Sequence, residues 1–265
     1  MYQDQIPIPP LVMVYDVMAV GKCNSIDTLN CNCKTDSFIQ QKKLESQVGE
    51  GKCQWVHCGQ NDCESQYYAN GMKISQTKTY KYLGDHVSDG WDPLYNKRLE
   101  KAHGYNSICL AMSTEMSLGF YVYSFAKLLH QSMFVNGTLQ NMETWPNCTT
   151  SRIEAFERVE QTFFKKILKA HSRTPIESIY LELGVIPLRF QLMKRRILYL
   201  HTIMKRGDDE ITKQLVCLQK VDCLEGDYYA QTKRDLLTLS ILEKDLSKSK
   251  GVFKDIVVKR VQVSH

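Results

Sequence analysis

Asp16 stands between two apolar, β-prone runs, Leu11–Val14 and Val17–Val20. Short runs of this kind read as buried strands. A carboxylate at the tight turn between two such strands is costly to hold there unless something uses it, most often a metal ion. The alternative is a turn residue whose oxygens are satisfied by nearby backbone amides. The residue before it is Tyr15, a phenol with an ordinary pKa of ~10, which cannot serve as an ionised oxygen ligand. A second chemistry lies in clustered cations. Lys165, Lys166 and Lys169 fall within five residues, and Lys194, Arg195 and Arg196 are consecutive. Lysine point charges and arginine forks suit phosphate oxygens. A third is soft-ligand chemistry. Six of the ten cysteines, Cys23, Cys31, Cys33, Cys53, Cys58 and Cys63, crowd into one stretch with His57. They could supply four zinc ligands, although the spacings form no pair of CxxC knuckles. The other reading is free thiols. His171 follows the lysine cluster and reads as a cap or loop residue.

The elements that must position these groups change character near residue 90. Before it lie the acidic hairpin (11–21), a polar loop (22–36), a helix (37–48) and a short strand at Gln54–Cys58. A hairpin follows, with Asn70-Gly71 as its turn, the pair favoured by a type I′ turn. Tyr80–Val87 reads as one further strand. After residue 90 the pattern is helical. Asp92 and Pro93 open the first helix, and a second spans 119–136 and stops at Gly137. A third opens with a capping box at Ser151–Glu154 and carries the stripe Ile153, Phe156, Val159, Phe163, Ile167. A fourth runs from Thr174 to Gly184, and a fifth opens at Pro187 with Leu188, Leu192, Ile197 and Leu200 inward. A sixth starts at Asp208 or Asp209 and ends near Val221. Weaker helical patterns surround Leu236–Leu246 and Phe253–Val261.

Net charge is +5, but its placement is uneven. Residues 152–206 hold twelve Lys/Arg against five Asp/Glu, a local +7 that leaves the rest slightly acidic. That is the footprint of a polyanion partner or, equally, of a solvated helical face. No apolar run approaches the ~18–20 residues of a membrane span. The polar start, Met1–Gln5, reads as no secretory signal, so the expected location is intracellular, with reduced thiols.

The ordered series resembles the reverse transcriptase of site-specific non-LTR retrotransposons. The residues that carry the resemblance are Val12–Val17, Lys52-Cys53, Tyr80–Asp85, Leu139–Trp145, His171–Pro175, Tyr180–Gly184, Ile186–Arg189 and Arg195–Leu200. The resemblance implies an α+β fold, a small antiparallel palm remnant followed by a helical thumb bundle. Residues 1–90 would be the end of the palm, 91–206 the thumb, and 207–265 a helical tail leading toward an endonuclease region. It makes Asp16 the second of a metal-binding aspartate pair, with Tyr15 at the position of the first. It also makes Tyr82, Leu83 and Gly84 a primer grip. Lys165, Lys166, Lys169, Lys194, Arg195 and Arg196 would be the nucleic-acid contacts. The intact family uses two magnesium ions on palm carboxylates. With the upstream palm strand outside this sequence and Tyr15 in place of a ligand, the chain is expected to bind no magnesium and to lack polymerase activity alone. Its partner would be a template–primer duplex, in the nucleus, and its open palm edge could pair between molecules. The competing class is a host-recruited or decayed non-catalytic interaction protein.

Overall fold

The computed structural model describes residues 54–56, 67–69, 72–82, 85–88, 90–115, 122–145 and 147–264. The chain divides into two compact units, Met1–Leu94 and Tyr95–His265.

In the first unit, β1 (Gln54–Trp55), β2 (Tyr67–Ala69) and β3 (Met72–Gln76) form one sheet in the order β1-β3-β2. β2 and β3 are antiparallel with Ala69 opposite Met72, so two residues, Asn70 and Gly71, connect them. That register is the one the Asn-Gly pair specifies. β1 runs parallel to β3, with Gln54 opposite Ser75. The sheet is therefore mixed rather than purely antiparallel. β4 (Thr79–Tyr82) and β5 (Asp85–Ser88) form a separate hairpin, Tyr82 opposite Asp85. The single strand expected over Tyr80–Val87 is thus two strands. β4 ends at Tyr82 and β5 begins at Asp85, and Gly84 between them is a poor strand former. The acidic hairpin at 11–21 and the helix at 37–48 lie outside the described residues.

The second unit is helical, and its first helix starts three residues before the unit's first residue, Tyr95. α1 (Asp92–Glu115) is followed by α2 (Val122–Leu129), which runs through a π turn (His130–Val135) into a last α-helical turn (Asn136–Thr138). Gly137 does not stop this helix; it is helical, and it admits the Tyr105 ring, which would lie 2.5 Å from a Cβ at that position. A short 3-10 turn (Met142–Thr144) precedes α3 (Thr150–Ile167). The cap of α3 is Thr149, whose hydroxyl accepts from the Arg152 N–H, so the capping box at Ser151–Glu154 is not used. Thr149 satisfies the orphan N–H two residues earlier and leaves Glu154 exposed. α4 (Ile176–Leu183) ends in left-handed Gly184, φ 57°, where Val185 N–H bonds Tyr180 O and Gly184 N–H bonds Leu181 O. That pair of bonds is a Schellman motif, for which glycine has no steric penalty. α5 (Leu188–Met204), α6 (Ile211–Val221), α7 (Tyr228–Thr238) and α8 (Lys250–Ser264) complete the unit, with a 3-10 turn at Glu243–Ser247. The tail helices sit earlier and break more sharply than the sequence pattern suggests. α7 starts at Tyr228 and closes at Ser240, φ 52°.

α5 is the central helix. It buries Leu188, Leu192, Arg196, Ile197, Leu200, His201 and Ile203, more than one face can hold. It packs against α3, α7, α8 and the 3-10 turn at Met142–Thr144. Ile197, Leu200 and Ile203 share one apolar core with Val216 of α6, Tyr228, Tyr229 and Leu236 of α7, and Phe253, Val257 and Val261 of α8. The stripe expected on α3 is inward, with Phe156, Val159, Phe163 and Ile167 buried.

Candidate nucleic-acid interface

The C-terminal end of α3 gathers the first cation cluster. Ala170 N–H bonds Lys165 O at 2.9 Å and Lys169 N–H bonds Lys166 O at 3.2 Å. This is a second Schellman closure, with Lys169 in the left-handed position at φ 52°. The Lys165 ammonium donates to Ser172 O at 2.6 Å, tying the loop to the helix. Within the loop, Arg173 N–H donates to His171 Nδ1 at 3.2 Å, and Thr174 N–H bonds His171 O at 2.9 Å. His171 is therefore a loop-organising residue. Its Nδ1 is an acceptor, which places the ring proton on Nε2 in the neutral form. Lys166, Lys169 and Arg173 are exposed and Lys165 is half-buried, and no Asp or Glu occurs from Gln161 to Ile176. Cations at a helix C-terminus also complement the exposed carbonyls. The same charges thus close the helix and present a positive edge to solvent.

The second cluster is divided by its own helix. Three consecutive residues on a helix point about 100° apart, and only some can face solvent. Lys194 is half-buried on α5. Arg195 donates to Asn136 Oδ1 at 2.5 Å and to Leu139 O at 3.3 Å, joining α5 to the end of the α2 helix. Burial lowers its pKa from the usual guanidinium value. Arg196 is internal: it is 3% exposed, and its Nη1 lies 2.7 Å from Asp235 Oδ2. It is therefore withdrawn from the set of phosphate contacts. Asp235, on α7, has its pKa pushed up to about 6, chiefly by burial, with Arg196 acting in the opposite direction.

Among the sites expected from sequence, Asp16, Tyr15, Leu83, Gly84 and the cysteine-rich stretch lie outside the described residues. Tyr82 ends β4 and pairs with Asp85 across the hairpin. Among the described residues, no group of three or more His, Cys, Asp or Glu could hold a metal ion, so neither magnesium nor zinc has a donor set there. Among the same residues, no helix is long and apolar enough to cross a membrane.

The sequence reading missed a buried polar group. Glu157 of α3 accepts from the backbone N–H and both the Nε and Nη2 of Arg189. Glu160, one turn on, accepts from the Tyr180 hydroxyl at 2.7 Å and the Leu188 N–H at 3.2 Å. A signal was available, since Glu160 falls on the face marked by Phe156 and Phe163, and Glu157 lies two turns before the buried Phe164. Acids on an apolar face are buried only with partners.

Comparison of the chain with family models, curated proteins and solved structures finds no match.

Proposed function

We propose that this chain is the rear part of a reverse-transcriptase-like protein, palm end and thumb, which contacts the backbone of a template–primer duplex without reading its sequence. The observation that supports it is the acid-free edge formed by Lys165, Lys166, Lys169 and Arg173 at the end of α3. Phosphate contacts of this kind release counterions and weaken steeply with salt. Anisotropy of a labelled RNA–DNA hybrid, titrated with the full chain between 50 and 200 mM salt, tests it. The double variant Lys166→Ala/Lys169→Gly is expected to lower the slope of log K against log salt by about 2, near 0.9 per contact removed. Glycine also suits the left-handed position at 169, so the variant keeps its fold. Parent-like binding by the variant, or affinity flat in salt, overturns the reading.

Polymerase activity is not part of this function. With Tyr15 beside Asp16, that stretch of sequence offers one carboxylate where a two-metal centre uses several. A primer-extension reaction with magnesium is expected to incorporate no nucleotide; Asp16-dependent incorporation would refute this.

One observation favours the alternative of a non-catalytic interaction module. On α6, Ile211, Leu215, Leu218 and Val221 are each more than half exposed, a stripe at three- to four-residue spacing. Contiguous exposed apolar surface of this sort marks protein contacts. A module of that class would show no salt-dependent affinity for the hybrid, and the same titration separates the two.

A further inference from the structure

The two buried carboxylates of α3 are matched by unlike partners. Glu157 faces Arg189, whose charge is permanent; the hydrogen bonds to Glu157 raise the guanidinium pKa further. Glu160 faces His130. Its Oε1 lies 3.0 Å from His130 Nε2, and both side chains are at most 2% exposed. The ring N–H is not aimed along that line, and neither atom has another hydrogen-bond partner. The contact is thus a close approach rather than a directed hydrogen bond, and it is attractive by charge only when the ring carries its second proton.

His130 is also the first residue of the π turn. Its ring is nearly parallel to Phe134, at 5.2 Å, and to Phe163, at 5.8 Å, and lies 4.5 Å from Phe164. The turn sets which residues face inward. Leu129 and His130 are buried, then Phe134 and Val135, then Thr138 and Leu139. The first step is five residues, where an α-helix repeats every 3.6. A uniform α-helix cannot keep both ends of this set inside. The wide turn absorbs one extra residue, as single π turns do within α-helices.

We propose that His130 is a proton latch for helix register: its imidazolium, attracted to Glu160, holds the wide turn, and loss of the proton to water loosens the segment toward an ordinary α-helical register. In that register Val122–Leu129 would be turned relative to Phe134–Leu139 by about 100°, one residue's worth. The groups around the latch do not compete for this role. Tyr180 of α4 has its pKa raised by burial and stays a neutral phenol. Cys109 of α1, whose thiol lies 3.7 Å from Leu129 O, is raised by burial and stays a thiol. Lys127, on the latch's own helix, has its ammonium 4.0 Å from the Cβ position of Gly184, at the carbonyl end of α4. Glu157 is bound to Arg189. Imidazole is the side chain type that ordinarily changes charge between pH 5 and 8.

The latch goes beyond the proposed nucleic-acid contact and does not depend on it. Hydrogen exchange on the full chain, normalised to intrinsic rates, tests it between pH 5.5 and 8. Protection of the amides of residues 130–139 is expected to fall at least fivefold across that range. The fall should be absent in His130→Gln and preserved in Tyr180→Phe, which removes a donor to Glu160 without removing charge. A flat profile in the parent, or the same fall in His130→Gln, overturns the proposal. Because His130→Gln can lose its fold, a second measurement uses the parent alone. The nitrogen shifts of the His130 ring and the amide shifts of residues 130–139 should titrate with one midpoint, and separate midpoints overturn it equally.

Discussion

Arg196→Ala is expected to cost about 3–5 kcal/mol of folding stability, the range for removing one partner of a buried ion pair. The loss comes from Asp235, left 6% exposed inside the α5–α7 contact without its guanidinium. The pair itself is a different quantity. Arg196 Nε and Nη2 have no hydrogen-bond partner, so burying the guanidinium is incompletely compensated. Arg196→Met/Asp235→Leu should therefore recover most of the single variant's loss. The pH dependence follows from Asp235. Its folded pKa of about 6 lies above the unfolded value of 3.8. A raised folded pKa contributes stability that is fully present below the unfolded value and lost as pH rises through about 6. Removing Arg196 deletes the influence that lowers this pKa. The native variant then takes up its proton at higher pH than the parent. Its deficit should be larger at pH 7, where the parent's carboxylate is ionised and paired, than at pH 5, where both are mainly protonated. Urea unfolding at the two pH values measures this. An Arg196→Ala protein of parental stability but weakened duplex affinity would return Arg196 to the phosphate contacts.

The same residue shows where the sequence stopped being informative. Lys194, Arg195 and Arg196 look alike in a linear string, and nothing local says which one turns inward. That depends on Asp235, thirty-nine positions away. The helices were legible where short-range chemistry decides them: Asp92-Pro93 at the start of α1, Gly184 after α4, Pro187 before α5, and the apolar stripe of α3. The π turn was not, because its extra residue is fixed by the burial of His130 near Glu160 on another helix. The β4–β5 hairpin was misread as one strand because hydrophobic pattern alone cannot say where a short run folds back. Of the candidate site, the lysines of α3 were legible as a cluster. Arg173, which completes the acid-free edge, was not singled out, since its contribution depends on the loop ordered by His171 and Lys165.

Trp145→Ala is expected to destabilise the second unit by about 3–5 kcal/mol, as large-to-small changes at buried aromatic sites do. Trp145 is 4% exposed and sits edge-on to Tyr95, ring centres 5.1 Å apart. The guanidinium of Arg98 lies 5.2 Å from its ring centre, and that of Arg152 lies 4.4 Å from the centre of the Tyr95 ring. Two aromatic rings thus separate two arginines, and the ring faces supply attraction that a cavity cannot. Arg98, itself 3% exposed, also donates to Gly137 O at 2.8 Å, so this cluster fastens α1 to the end of the α2 helix. Trp145 follows directly on the 3-10 turn that packs against α5, and its N–H bonds the carbonyl of buried Met142 at 3.2 Å. Truncation would therefore loosen three contacts at once: the ring pair, the cation over the ring and the seat of the 3-10 turn. Trp145→Phe keeps an apolar ring and should lose less than half as much. Urea unfolding followed by far-UV circular dichroism separates the variants without relying on the deleted indole. A Trp145→Ala loss below about 0.5 kcal/mol, the level of an ordinary surface change, would mean that the cluster is ornamental. The block Leu139–Trp145 would then owe its place in the sequence pattern to something other than packing.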